Sequence, residues 1–120
     1  MIVDTSIFID FLRKGDASLA RALEDGRVLS HPFVIGEIAL GSLKNRAEII
    51  GLLSALPKAT VATDEEVMAY IERFSLFGRG VGYVDAHLLA SARLTGERLW
   101  TRDRRLRAVA EDLSLASEQS

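Results

Sequence analysis

Short apolar runs of about three residues, each followed by a longer stretch of helical periodicity, constrain this 120-residue chain more than any other feature. Met1–Val3, Val28–Ser30, Thr60–Ala62 and Leu99–Thr101 read as strands too short to carry a two-sided alternation, so they belong to a sheet buried on both faces. Between them, helices are expected from Ile7 to Leu12, from Ser18 to a stop at Gly26, from Pro32 through Leu40, and from Ala47 to Leu56. Further helices run from an Asp64 cap past Val67, Met68, Ile71, Phe74 and Leu76 or Phe77, from Tyr83 to Leu94, and from Arg102 to Leu113. Asp16 or Ser18 caps the second helix, and Pro32 suits a first helical turn. Strands alternating with helices predict a mainly parallel sheet covered on both sides, a three-layer α/β/α sandwich. One domain over residues 1–116 is expected, with a polar tail over residues 117–120 that frays.

Within this frame three acids stand apart from the solvated charges of the helix surfaces. Asp4 lies in Ile-Val-Asp-Thr-Ser-Ile-Phe-Ile, Glu37 in Val-Ile-Gly-Glu-Ile-Ala-Leu, and Asp85 in Gly-Tyr-Val-Asp-Ala-His-Leu-Leu-Ala. Burying a lone carboxylate is costly unless it is paired, hydrogen-bonded or bound to a metal. A fourth acid, Asp103, follows the strand Leu99–Thr101. Asp4 and Asp103 both stand where a strand hands over to a helix, the carboxyl edge at which open parallel sheets bind ligands. Each acid also has an ordinary role open to it: Asp4, Asp85 and Asp103 as helix caps, Glu37 as a solvated side chain. Taken together they would repel one another, and a divalent cation is the natural neutraliser. Oxygen ligands without His or Cys spacing favour Mg²⁺ or Mn²⁺ over zinc.

The formal net charge is −2, so any nucleic-acid site must be a local patch. Such a patch is offered by Arg93, Arg98, Arg102, Arg104, Arg105 and Arg107, gathered around Asp103, with Arg13, Lys14, Lys44 and Arg46 as further cations. Ion pairing on a helix face would explain the same arginines. The absence of cysteine excludes disulfides, thiolate metal sites and a Cys nucleophile. No signal peptide or membrane span is read at either end, which makes a cytoplasmic protein the expectation.

The N-terminal Ile-Val-Asp-Thr-Ser, the Glu in an apolar helix, Tyr-Val-Asp-Ala-His-Leu-Leu-Ala-Ser-Ala and Leu-Trp-Thr-Arg-Asp, in this order, resemble the PIN-domain nucleases. Length and N-terminal start resemble the VapC toxins of bacterial toxin–antitoxin pairs. The resemblance implies a metal-dependent endoribonuclease in which Asp4, Glu37, Asp85 and Asp103 bind Mg²⁺ or Mn²⁺, supported by Thr5, Ser6 and Thr101. It implies RNA contacts from Arg102, Arg104 and Arg105, a VapB-type antitoxin, and a homodimer that forms a heterotetramer or larger complex with it. His87 stands where the family often has Leu or Ile and is read, with His31, as structural. Two other readings stay open: a phosphatase-like phosphoryl-transfer enzyme, against which Ser6 occupies the place of a second acid, and a non-catalytic module on the same fold.

Overall fold

The computed structural model describes residues Met1–Gln119; Ser120, the end of the expected tail, lies outside the described residues. In chain order the elements are β1 (Ile2–Val3), α1 (Thr5–Lys14), α2 (Ala17–Glu24), α3 (Pro32–Ala39), α4 (Arg46–Ser54), α5 (Asp64–Arg73), α6 (Tyr83–Thr95), β2 (Leu99–Trp100) and α7 (Arg104–Asp112). Helix starts are set by polar caps that satisfy otherwise orphaned N–H groups. The Asp16 carboxylate accepts from Leu19 N, and Asp103 accepts from Arg105 N and Leu106 N. Asp64, expected as the cap of α5, is instead its first helical residue, because Thr63 and Glu66 close a reciprocal capping box one position earlier. Asp103 likewise moves the start of α7 from Arg102 to Arg104.

β1 and β2 pair in parallel, Ile2 opposite Leu99 and Val3 opposite Trp100. Single parallel bridges widen this ladder, joining Ile2 to Leu29, Ser30 to Lys58, and Leu99 to Ala116. Across the sheet the order is therefore Lys58, Leu29–Ser30, β1, β2, Ala116, with the first strand of the chain in the middle. The progression reverses between β1 and β2, and that reversal is the crevice at which doubly wound sheets bind ligands. No strand forms over Thr60–Ala62. The N–H groups of Thr60 and Ala62 are taken by the Thr95 and Ser91 hydroxyls of α6, so two of the three donors of this segment are diverted from a ladder. At the other edge Ser117 is buried and donates its N–H to Leu99 O, so pairing reaches into the segment expected to fray.

All four residues of β1 and β2 are buried, as is every residue from Ala86 to Ala92 of α6. A helix apolar all round belongs in the interior of a domain, and α6 is that interior helix. On α5 the inner stripe is Val67, Tyr70, Ile71 and Phe74, which leaves Met68 52% exposed. Ser75, at φ 53°, turns the chain so that Leu76 enters the core and Phe77 stands 64% exposed. No described helix is long and apolar enough to cross a membrane.

Candidate functional site

Asp4 continues the β1 ladder by one bond, its N–H donating to Trp100 O at 2.9 Å, and so leaves the sheet at the crevice. Its Oδ1 accepts from Thr5 N at 2.8 Å; its Oδ2 accepts from Thr101 Oγ1 at 2.8 Å and Ser6 Oγ at 3.2 Å. The Thr101 hydroxyl in turn accepts from Asp103 N at 3.1 Å, so one side chain fixes two acid-bearing turns. Thr5 Oγ1 donates to Glu37 Oε1 at 2.8 Å, reaching from α1 to α3. Asp85, in the first turn of α6, accepts from Gly82 N at 3.0 Å. The three residues expected to support the acids, Thr5, Ser6 and Thr101, thus all touch one.

Burial pushes the Asp85 carboxyl above its ordinary value despite the Gly82 N–H, and the charges of Asp4, Asp103 and Glu37 push it further the same way. Asp85 therefore lies within electrostatic reach of the other three acids. Among the described residues none of them forms an ion pair with Lys or Arg. Nor does any group of three or more His, Cys, Asp or Glu side chains stand close enough to hold a metal ion directly. Each acid has turned an oxygen towards a backbone N–H or a hydroxyl. Glu37 Oε2, Asp85 Oδ1 and Asp103 Oδ2 carry no hydrogen bond to the described residues. With Asp4 they offer only oxygen donors, the ligand type that hard divalent cations such as Mg²⁺ and Mn²⁺ prefer.

The arginines divide. Arg102, expected on RNA, instead clamps Asp10 at 2.5 Å and the Asp16 cap of α2, joining the β2–α7 turn to two helices. Arg93 and Arg98 donate to the carbonyls of Leu113, Ser114 and Ala116, and Arg107 pairs with Glu111. Arg104 and Arg105 have no carboxylate partner among the described residues. The Arg105 side chain lies across Gly80, where a Cβ would fall 2.6 Å from Arg105 Cδ. Gly80 also has φ +80°, a backbone conformation that favours glycine, whereas the Arg105 contact alone could be relieved by moving that exposed side chain.

Both histidines serve structure, and both serve it near the acids. His31 is fully buried; its Nδ1 accepts from Phe33 N at the start of α3, and its Nε2 donates to Ser91 Oγ of α6 at 3.0 Å. It thereby links the helices that carry Glu37 and Asp85. Burial lowers its pKa to about 4, and the neighbouring His87 acts in the same direction. His87 donates from Nε2 to Asp64 Oδ1, which also accepts the Tyr83 hydroxyl, each at 3.0 Å. The Asp64–Tyr83–His87 group and the Asp10–Asp16–Arg102 clamp both escape sequence reasoning. Their members are 19 or more residues apart apart from local neighbours, and no spacing rule joins them.

A family model described as the PIN domain matches residues 1–112. Ribonuclease VapC32 of Mycobacterium tuberculosis, from strains CDC 1551 / Oshkosh and ATCC 25618 / H37Rv, is 46% identical over 123 residues, covering 100% of this chain and 99% of the relative.

Proposed function

The chain belongs to the PIN-domain family, and from that premise we propose that it is a Mg²⁺- or Mn²⁺-dependent endoribonuclease, the toxin of a type II toxin–antitoxin pair. The observation that carries the reading is the hydrogen-bonded link through which Thr101 joins Asp4 to the Asp103 turn and Thr5 reaches Glu37, with none of the four acids in an ion pair with Lys or Arg among the described residues. Asp4, Asp85 and Asp103 would hold the ion, with Glu37 completing the set or holding a second one. When bound, the ion lowers the pKa of a ligated water and stabilises charge on a phosphoryl group. The chain's own residues do the rest. Thr101 holds Asp4 and the Asp103 turn in register, Thr5 holds Glu37, and the exposed Ser6 hydroxyl orients the attacking water. Arg104 and Arg105 take the phosphates on either side of the cut. No residue at the site serves as a covalent nucleophile, so the reaction is direct hydrolysis.

The partners follow from apolar surface. Phe8, Phe11, Leu12, Leu23, Ile49 and Leu52 line a groove of about 290 Å³ between α1, α2 and α4, suited to the apolar face of an antitoxin helix. Leu40, 91% exposed at the end of α3, belongs to a two-fold interface with a second copy. Such a complex would be a heterotetramer or larger, acting on RNA in the cytoplasm. Incubating the purified chain with total RNA tests the reading: cleavage should require Mg²⁺ or Mn²⁺, stop in excess EDTA and stop on addition of the small protein encoded beside it. Undiminished cleavage in EDTA would overturn the metal assignment.

A further inference from the structure

Phe77 and Tyr83 face solvent to an unusual degree for large aromatic residues, 64% and 46% exposed, and they flank the same cleft of about 230 Å³. Leu76 and Ala86, both buried, form part of its lining, and the backbone of Gly82 forms another. Gly82 is also the residue whose N–H is held by Asp85, so cleft and acid cluster share a wall one residue thick. The Tyr83 ring is held at two points: its hydroxyl donates to Asp64 Oδ1, and it packs T-shaped with the His87 ring at 4.8 Å and 85°. On the other side of the glycine-rich turn the Arg105 side chain lies across Gly80, next to the segment that leads into the cleft.

We propose that this cleft, walled by Phe77 and Tyr83 beside Asp85, binds one unpaired nucleobase of the RNA next to the phosphate that is cut. The proposal rests on the ribonuclease reading above and deepens it by naming a substrate subsite. Aromatic rings stack on any base, because every base offers a π-face, and a nearby cation holds the backbone that follows. A ring immobilised in advance loses little entropy when the base arrives. A cleft with these walls therefore selects unpaired RNA over duplex, in which the bases are already stacked. It imposes only a weak base preference.

The test uses the full chain and a set of single-stranded RNA oligonucleotides, each carrying one abasic ribose at a different position around the cut. One position should lower kcat/KM by roughly 5- to 150-fold, the range expected for one stacked base. Phe77→Ala, a change at an exposed side chain that leaves the core intact, should lower kcat/KM on the normal RNA by a similar factor. It should also abolish the penalty of that one abasic position. Equal cleavage of every abasic RNA by the unaltered chain overturns the subsite, as does a Phe77→Ala chain that still discriminates. If Phe77→Ala changes oligomeric state or antitoxin affinity and not abasic discrimination, the cleft belongs to a protein partner and the proposal is wrong. Failure of the unaltered chain to cleave any RNA with Mn²⁺ present would count against the ribonuclease reading itself. In that case the subsite is judged by anisotropy of labelled oligonucleotides, whose binding must weaken with the abasic substitution.

Discussion

Acidification should destabilise the chain by about 2 kcal/mol between pH 7 and pH 5 through His31 alone. The ring is fully buried and its pKa lies at about 4, against an ordinary value of 6.5. Burial is the main cause, and the hydrogen bonds agree with it: Nδ1 accepts from Phe33 N, so a proton there would set two N–H groups against each other. Between those two values the unfolded chain binds a proton that the folded chain refuses, so stability rises with pH through that window and is fully present above about pH 6.5. At about 1.4 kcal/mol per pH unit the whole gap is worth roughly 3.4 kcal/mol, of which about 2 is lost by pH 5. For a domain of this size that corresponds to about 8 °C in Tm. The assay is thermal unfolding at fixed protein concentration across this range for the unaltered chain and His31→Asn. Asn offers a cap acceptor to Phe33 N but does not titrate. The difference in Tm between the two should shrink as pH falls. Parallel curves would refute the assignment of this pH dependence to His31.

Three further outcomes follow from the geometry. Asp85→Asn can keep the Gly82 bond while removing one charge from the cluster, so without metal its Tm should equal or exceed that of the unaltered chain by a few degrees, checked by calorimetry. Arg104→Ala with Arg105→Ala should reduce the salt slope of single-stranded RNA binding by about 1.4, whereas Arg102→Ala should leave the slope unchanged and lower stability by about 1 kcal/mol through its partly exposed clamp, both read from filter binding and denaturant melts. Gly80→Ala should cost about 1 kcal/mol or more and weaken RNA binding, because its Cβ must displace Arg105 and its backbone sits at φ +80°.

Helix positions and the acids that stand out against apolar surroundings are local signals, legible in the sequence itself. Asp16, Gly96 and Pro32 mark helix ends as their chemistry dictates. Thr60–Ala62 misled because β-branched composition does not reveal that Ser91 and Thr95, some thirty residues away, take the backbone donors. The choice between Leu76 and Phe77 turned on a single left-handed residue, Ser75, which has no sequence signature. That Asp4 and Asp103 stand at one edge of the sheet follows from the pairing of β1 with β2, which short strands hint at through their helix handovers. Which arginines are free does not follow, because Arg102 is claimed by Asp10 and Asp16 across 92 and 86 residues.

The account stands on the four acids forming one cation site, and Mn²⁺ binding followed by electron paramagnetic resonance tests that most directly. The unaltered chain should bind Mn²⁺ with a simple one- or two-site isotherm, and Asp4→Asn, Glu37→Gln, Asp85→Asn and Asp103→Asn should each weaken it by about tenfold or more, in step with lost RNA cleavage. Mn²⁺ bound with undiminished affinity by all four variants would contradict it.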